Sequence, residues 1–88
     1  MGAIQFRVKG KVQGVFFRRN VRQKALELEL GGYACNLADG TVEVVAVGSP
    51  ERIHLLEEFI HSNPGAAKIT AIVKKEIPGK KYLSFEIN

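Results

Sequence analysis

Lys11-Val12-Gln13-Gly14-Val15-Phe16-Phe17-Arg18 stands where the hydrophobic period of the chain changes. Upstream, Ile4, Phe6 and Val8 alternate with Gln5, Arg7 and Lys9, the period of a strand with one buried face. Downstream, Val21, Ala25, Leu26 and Leu28 recur at helical spacing, with Arg19, Arg22, Gln23 and Lys24 on the other side. The octapeptide therefore reads as a strand-to-helix bend. Gly10 and Gly14 flank it, where a chain can turn tightly and leave backbone amides open to a ligand. The first N–H groups of a helix have no internal partner and carry the positive end of its dipole, which suits phosphate. Arg18 adds a planar, permanently charged fork able to take two oxygens of one phosphate. The Walker A pattern is absent, since Val15 follows Gly14 where that motif wants Lys and then Ser or Thr.

The spacing places the first helix from about Arg18 to Leu28, with Gly31-Gly32 expected to stop it. Strand 2 follows as Tyr33 to Asn36, and Leu37-Ala38-Asp39-Gly40 reads as a hairpin connection on its Asp-Gly signal. Strand 3 is Thr41 to Val47, with valine on both faces. Ser49-Pro50-Glu51 gives an N-cap, a first helical position and a first-turn acid. The helix it opens carries Ile53, Leu56 and Ile60 on one stripe, widened by Leu55 and Phe59, and ends before Asn63-Pro64-Gly65. Strand 4 alternates Ile69, Ala71 and Val73 against Thr70, Ile72 and Lys74. Pro78-Gly79 turns, and Leu83, Phe85 and Ile87 give a fifth strand. This order predicts an α+β sandwich with two helices on one face of a five-stranded, mostly antiparallel sheet.

Eighty-eight residues make one domain, residues 1–88, which must stand on a single apolar core. The net charge of +4 suits an anionic ligand but is too small to point to nucleic acid. RNA recognition by a sheet needs exposed aromatics, whereas Phe6 shares its face with Ile4 and Val8 and strand 3 has none; no nucleic-acid partner is expected. No run reaches the length of a membrane span, so no membrane partner is expected either. Cys35 is the one cysteine, which fits a reducing, cytoplasmic setting, and a monomer is expected. No metal is suggested: His54 and His61 sit seven apart on helix 2, and both read as solvated, with no carboxylate or Cys at ligand spacing. Arg19 reads as solvated surface, Tyr33 and Cys35 as packing or surface residues, and Lys74, Lys75, Lys80 and Lys81 as a solvated loop.

Val12-Gln13-Gly14-Val15, followed by Phe17 and Arg18, resembles the N-terminal signature of the acylphosphatase family. Gly32-Tyr33-Ala34-Cys35-Asn36, continuing through Gly40, Val42 and Gly48, resembles a second signature. The similarity in length and element order covers nearly the whole chain. It implies a ferredoxin-like sandwich with strand order 4-1-3-2 for the first four strands; the docking of the fifth stays open. In that order the ends of strands 1 and 2 lie two strand spacings apart, on the order of 10 Å. Arg18 and Asn36 then belong to one edge of the sheet.

The resemblance also implies the chemistry: hydrolysis of an acyl phosphate to carboxylate and inorganic phosphate, without metal or cofactor. Backbone amides of Gln13, Gly14, Val15, Phe16, Phe17 and Arg18, with the Arg18 guanidinium, would bind the phosphoryl group, and Asn36 would orient the attacking water. An alternative is a catalytically weak relative that binds an anion or a protein. Its motive is Phe16, which stands where the family usually has a small residue and where a positive φ would be disfavoured. Cys35 also departs, since a basic residue commonly precedes the asparagine.

Overall fold

Phe6 and Val8 are fully buried, so the period-2 pattern that opens the chain does mark a core-facing strand. In the computed structural model, which describes residues 2–14, 16–65, 67–79, 82 and 84–87, that strand is β1 (Gly2–Lys11). It is followed by α1 (Phe17–Glu27), β2 (Gly31–Asn36), β3 (Val42–Gly48), α2 (Pro50–His61), β4 (Lys68–Glu76) and β5 (Phe85–Ile87). The sheet order is β4-β1-β3-β2-β5. β3 runs antiparallel to both β1 and β2, so β1 and β2 point the same way. Their register sets Val8, Val42 and Asn36 in one row across three strands. The β1–α1 bend and the β2–β3 hairpin consequently open on the same edge.

Both helices close one sheet face over a core that includes Phe6, Phe17, Val21, Val44, Leu56, Ile60 and Phe85. Burying a side chain of this size contributes about 1.5–3 kcal/mol relative to leaving it in water. α2 starts as its sequence demands: the Ser49 hydroxyl accepts from the Arg52 N–H, Pro50 opens the helix and Glu51 lies in the first turn. β5 docks parallel to β2, pairing Phe85 with Gly32 and Ile87 with Ala34, and Arg22 on α1 donates Nε–H to the Phe85 carbonyl at 3.1 Å.

Four expectations need correction. Gly31-Gly32 do not end α1. That helix stops at Glu27 in a Schellman arrangement, with Leu30 N–H on the Ala25 carbonyl and Glu29 N–H on that of Leu26. The left-handed residue is Glu29, at φ 56. Gly32 lies within β2, where a Cβ would fall 1.8 Å from the Val45 carbonyl oxygen, so close strand approach is what requires glycine there. Gly10, expected at the bend, lies inside β1 instead and faces a bulge. Lys9 pairs with Ala71 and Gly10 with Ile69, so Thr70 is the extra residue.

That bulge also breaks the expected alternation of β4. Ile69 and Ile72, three apart, both pack on the core, while Val73 is 52% exposed. Lys74 and Lys75 accordingly belong to β4 and not to a loop, and Lys74 Nζ reaches Glu57 Oε1 at 3.2 Å. Leu83, Lys80 and Lys81 lie outside the described residues.

The face of the sheet away from the helices is not simply polar. Ala3, Val45 and Val47 form a second cluster there, against Tyr33, Ile77 and Tyr82. This explains the valines on both faces of β3. The Tyr33 hydroxyl donates to Glu43 Oε1 at 2.7 Å, and Gln5 Nε2 donates to the other oxygen of that carboxylate. Desolvation, with the Glu43 carboxylate adding to it, pushes the Tyr33 phenol up to about 12.

A left-handed conformation costs an L-residue on the order of 1–2 kcal/mol, a penalty glycine avoids. Glu29→Gly is therefore expected to raise the unfolding free energy by about 1 kcal/mol in urea denaturation.

Candidate active site

Val12 and Phe17 are both buried, and these two apolar pins fix the ends of the bend. Gln13, Gly14 and Phe16 form the span between them, and Val15 lies outside the described residues. Gln13 is half-buried and its side chain leaves the bend altogether. Its Nε2 donates to the carbonyl of Leu37 at 2.9 Å and to that of Thr41 at 3.0 Å. Both partners are acceptors only, so the NH₂ end of the amide must face them. One side chain thereby ties the strand-to-helix bend to the β2–β3 hairpin.

The hairpin is tied within itself as well. Leu37 N–H donates to the Thr41 carbonyl and Gly40 N–H to that of Leu37. Asp39 Oδ1 accepts from both the Thr41 hydroxyl (2.6 Å) and the Thr41 N–H (3.0 Å). Those two hydrogen bonds hold the Asp39 carboxyl below its ordinary range, with Arg7 a lesser cause at 3.6 Å. Asn36 is the last residue of β2 and exposed, directly before Leu37, whose carbonyl Gln13 grips.

The bend also borders a cavity of about 370 Å³, lined by Val12, Gly14, Phe16, Phe17, Arg18, Arg19 and Ile87. Of the residues expected to bind phosphate, Gly14, Phe16, Phe17 and Arg18 thus surround one hollow. Asn36 stands outside this lining, on the hairpin that Gln13 joins to the bend. Arg19, expected as plain surface, belongs to the hollow, its guanidinium carbon 5.1 Å from the centre of the Phe16 ring. Ile87 was beyond sequence reasoning because the docking of β5 was.

The electrostatics of this helix start differ from those of α2. α1 has no side-chain cap and no acid in its first turn, which instead carries Arg18 and Arg19. Cations at the positive end of a helix are unfavourable by roughly 0.3–1 kcal/mol each, and an anion placed there reverses the sign. Phe16 takes the N-cap position at φ 58, ψ 20, the positive φ that phenylalanine disfavours. The residue is 69% exposed and forms part of the lining of the hollow.

Among the described residues there is no group of three or more His, Cys, Asp or Glu able to hold a metal ion. The two histidines do have carboxylate neighbours, contrary to expectation: His54 Nε2 lies 3.5 Å from Glu58 and His61 Nε2 3.8 Å from Glu57. His54 and Glu58 form an exposed pair, whereas the half-buried Glu57 is shared between His61 and Lys74. No helix among the described residues is long and apolar enough to cross a membrane.

Two helices on one face of a five-stranded mixed sheet in this strand order define a ferredoxin-like α+β fold. Comparison with known proteins takes this further. The family model for acylphosphatase matches residues 4–87. An acylphosphatase of Hahella chejuensis (strain KCTC 2396) is 44% identical over 81 residues, covering 91% of this chain and 86% of that relative. The structure of an acylphosphatase from Coxiella burnetii superposes with a TM-score of 0.93 at 41% identity, covering 99% of this chain and 92% of that one. The crystal structure of acylphosphatase from Bacillus subtilis gives 0.94 at 30% identity, covering 100% and 99%. The chain belongs to the acylphosphatase family, and is an enzyme of the hydrolase class.

If Gln13 is the tie between bend and hairpin, Gln13→Glu, which keeps shape but removes both donors, should weaken folding by about 1–3 kcal/mol. Hydrogen exchange at the Leu37 and Gly40 amides should rise with it. Unchanged exchange at both positions would contradict the tie.

Proposed function

We propose that the protein hydrolyses the carboxyl–phosphate bond of acyl phosphates, giving carboxylate and inorganic phosphate. The observation that carries this is the meeting of Arg18 and the uncapped first turn of α1 on one hollow, beside the hairpin that presents Asn36. The backbone amides of the Gln13–Arg18 bend and the Arg18 guanidinium take the phosphoryl oxygens. The side-chain amide of Gln13 is committed to the hairpin, so in this reading only its backbone faces substrate.

The chemistry asks little of the protein. Water oxygen forms a bond to phosphorus while the bond from phosphorus to the acyl oxygen breaks, and that electron pair leaves on the carboxylate. The leaving group is already a stable anion, so no strong general acid is needed. The transferring phosphoryl group is loosely bonded, and positioning with charge stabilisation supplies most of the rate. Asn36 has no basic form at neutral pH, so it orients the water and does not deprotonate it. The water's proton passes to a phosphate oxygen or to solvent. No step calls for a metal or a cofactor. All groups invoked come from one chain, so a monomer suffices, and nothing in the mechanism engages nucleic acid. We place the reaction in the cytoplasm, where the thiol of Cys35 would stay reduced.

A weak anion- or protein-binding relative is the competing reading, and Phe16 was its motive. With Phe16 exposed on the lining of a cavity of about 370 Å³, we favour the enzyme.

Phosphate release from benzoyl phosphate should proceed undiminished in EDTA. Arg18→Ala should lower the rate by about 10²–10³, the usual loss for a preorganised donor at developing charge. Asn36→Ala should lower turnover while leaving the affinity for inorganic phosphate, a competitive inhibitor, close to that of the parent. Equal phosphate affinity in the parent and in Arg18→Ala would overturn the assignment.

A further inference from the structure

The mechanism above uses only the phosphate end of the substrate, yet the hollow has two kinds of wall. One is cationic, Arg18 and Arg19; the other is apolar, Phe16 and Ile87 over the buried Val12 and Phe17. Phe16 is 69% exposed and Ile87 39%, and they come from opposite ends of the chain. Both are large hydrophobic side chains left in contact with water on the rim of the same cavity.

Phe16 is costly as a purely structural residue. Its backbone sits at φ 58, where glycine carries no penalty and phenylalanine does, and a ring so exposed recovers little by burial. Strain held beside a site is a pointer to use. The Arg19 guanidinium, 5.1 Å from the ring centre, helps to hold the ring at the rim. An acyl phosphate presents the matching polarity, an anion at one end and an acyl group at the other.

We infer that Phe16 and Ile87 form the acyl-binding wall of the site, which selects acyl phosphates with an aromatic or extended apolar acyl group over acetyl phosphate. This rests on the reading of the site given above. The phosphoryl end lies toward Arg18 and the first turn of α1, and the acyl group lies against the Phe16 ring and the Ile87 side chain. Aromatic contact supplies selectivity and no chemistry, so its removal should appear in KM for the aromatic substrate more than in kcat.

The test is the ratio of kcat/KM for benzoyl phosphate to that for acetyl phosphate, measured in the parent, Phe16→Gly and Ile87→Ser. The intrinsic difference between benzoate and acetate as leaving groups is the same in every protein and cancels when ratios are compared. Phe16→Gly should reduce the ratio about 3–10-fold, the scale of one aromatic contact, chiefly through a higher KM for benzoyl phosphate. Ile87→Ser should move it the same way by less. Phe16→Gly also relieves the left-handed strain, so its thermal midpoint should not fall, which separates a lost contact from a damaged fold. A ratio unchanged in Phe16→Gly, with both substrates slowed equally, would overturn the acyl wall while leaving the hydrolase reading intact. Failure of the parent to hydrolyse either substrate would overturn both.

Discussion

Two hydrogen bonds from one side chain hold the loop-bearing edge of this domain together. Gln13 Nε2 spans from the strand-to-helix bend to the carbonyls of Leu37 and Thr41, and so couples two loops remote in sequence. The sheet brings them to the same edge through the register of Val8, Val42 and Asn36, but register alone leaves two loops free to move against each other. Buried Val12 and Phe17 fix the ends of one loop, and the Asp39–Thr41 bonds fix the shape of the other. Gln13 joins the two already ordered pieces. Each bond is worth only about 1 kcal/mol, but under the proposed mechanism it sets the position of groups whose misplacement by about 1 Å can cost on the order of 10² in rate.

The two helix starts show the same backbone physics met in two different ways. α2 satisfies its own N-terminus with the Ser49 hydroxyl and places Glu51 in the first turn. α1 does neither, and sets Arg18 and Arg19 where positive charge is disfavoured. The unsatisfied end is thus a local cost carried by the free protein and relieved by an anion. Phe16, in its left-handed conformation, adds a second such cost at the same few residues. Strain at Phe16 and charge repulsion at Arg18 and Arg19 meet at the bend, although Glu29 and Asn63 are left-handed as well.

The strand and helix framework was legible because each element carries its own period or cap. Ile4-Phe6-Val8, the Ser49-Pro50-Glu51 start and the Asp-Gly of the hairpin are local signals, and the structure places all three where their physics puts them. Failures came where a distant partner decides the outcome. β4 lost its alternation because a bulge opposite Gly10 inserts Thr70, and a bulge is a property of two strands. Gly31-Gly32 looked like a helix stop, whereas Gly32 is glycine because β3 passes against it. Around the hollow, the strand-to-helix bend and the place of Arg18 in the first turn of α1 could be read from residue type and position. The side-chain tie of Gln13, the ring contact of Arg19 and the presence of Ile87 could not, since each depends on where another part of the chain lands. The one hint available was Gln13 itself: an amide between the apolar Val12 and Gly14 has two donors that need acceptors.

The claim on which everything rests is that bend and hairpin form a single anion site. Titrating isotopically labelled protein with inorganic phosphate, and following backbone and side-chain amide shifts by NMR, addresses it directly. The backbone amides of Gly14, Phe17 and Arg18 and the side-chain amide of Asn36 are expected to shift together along one saturation curve. Shifts confined to the bend with Asn36 silent, or centred instead on the lysines of β4, would contradict the account.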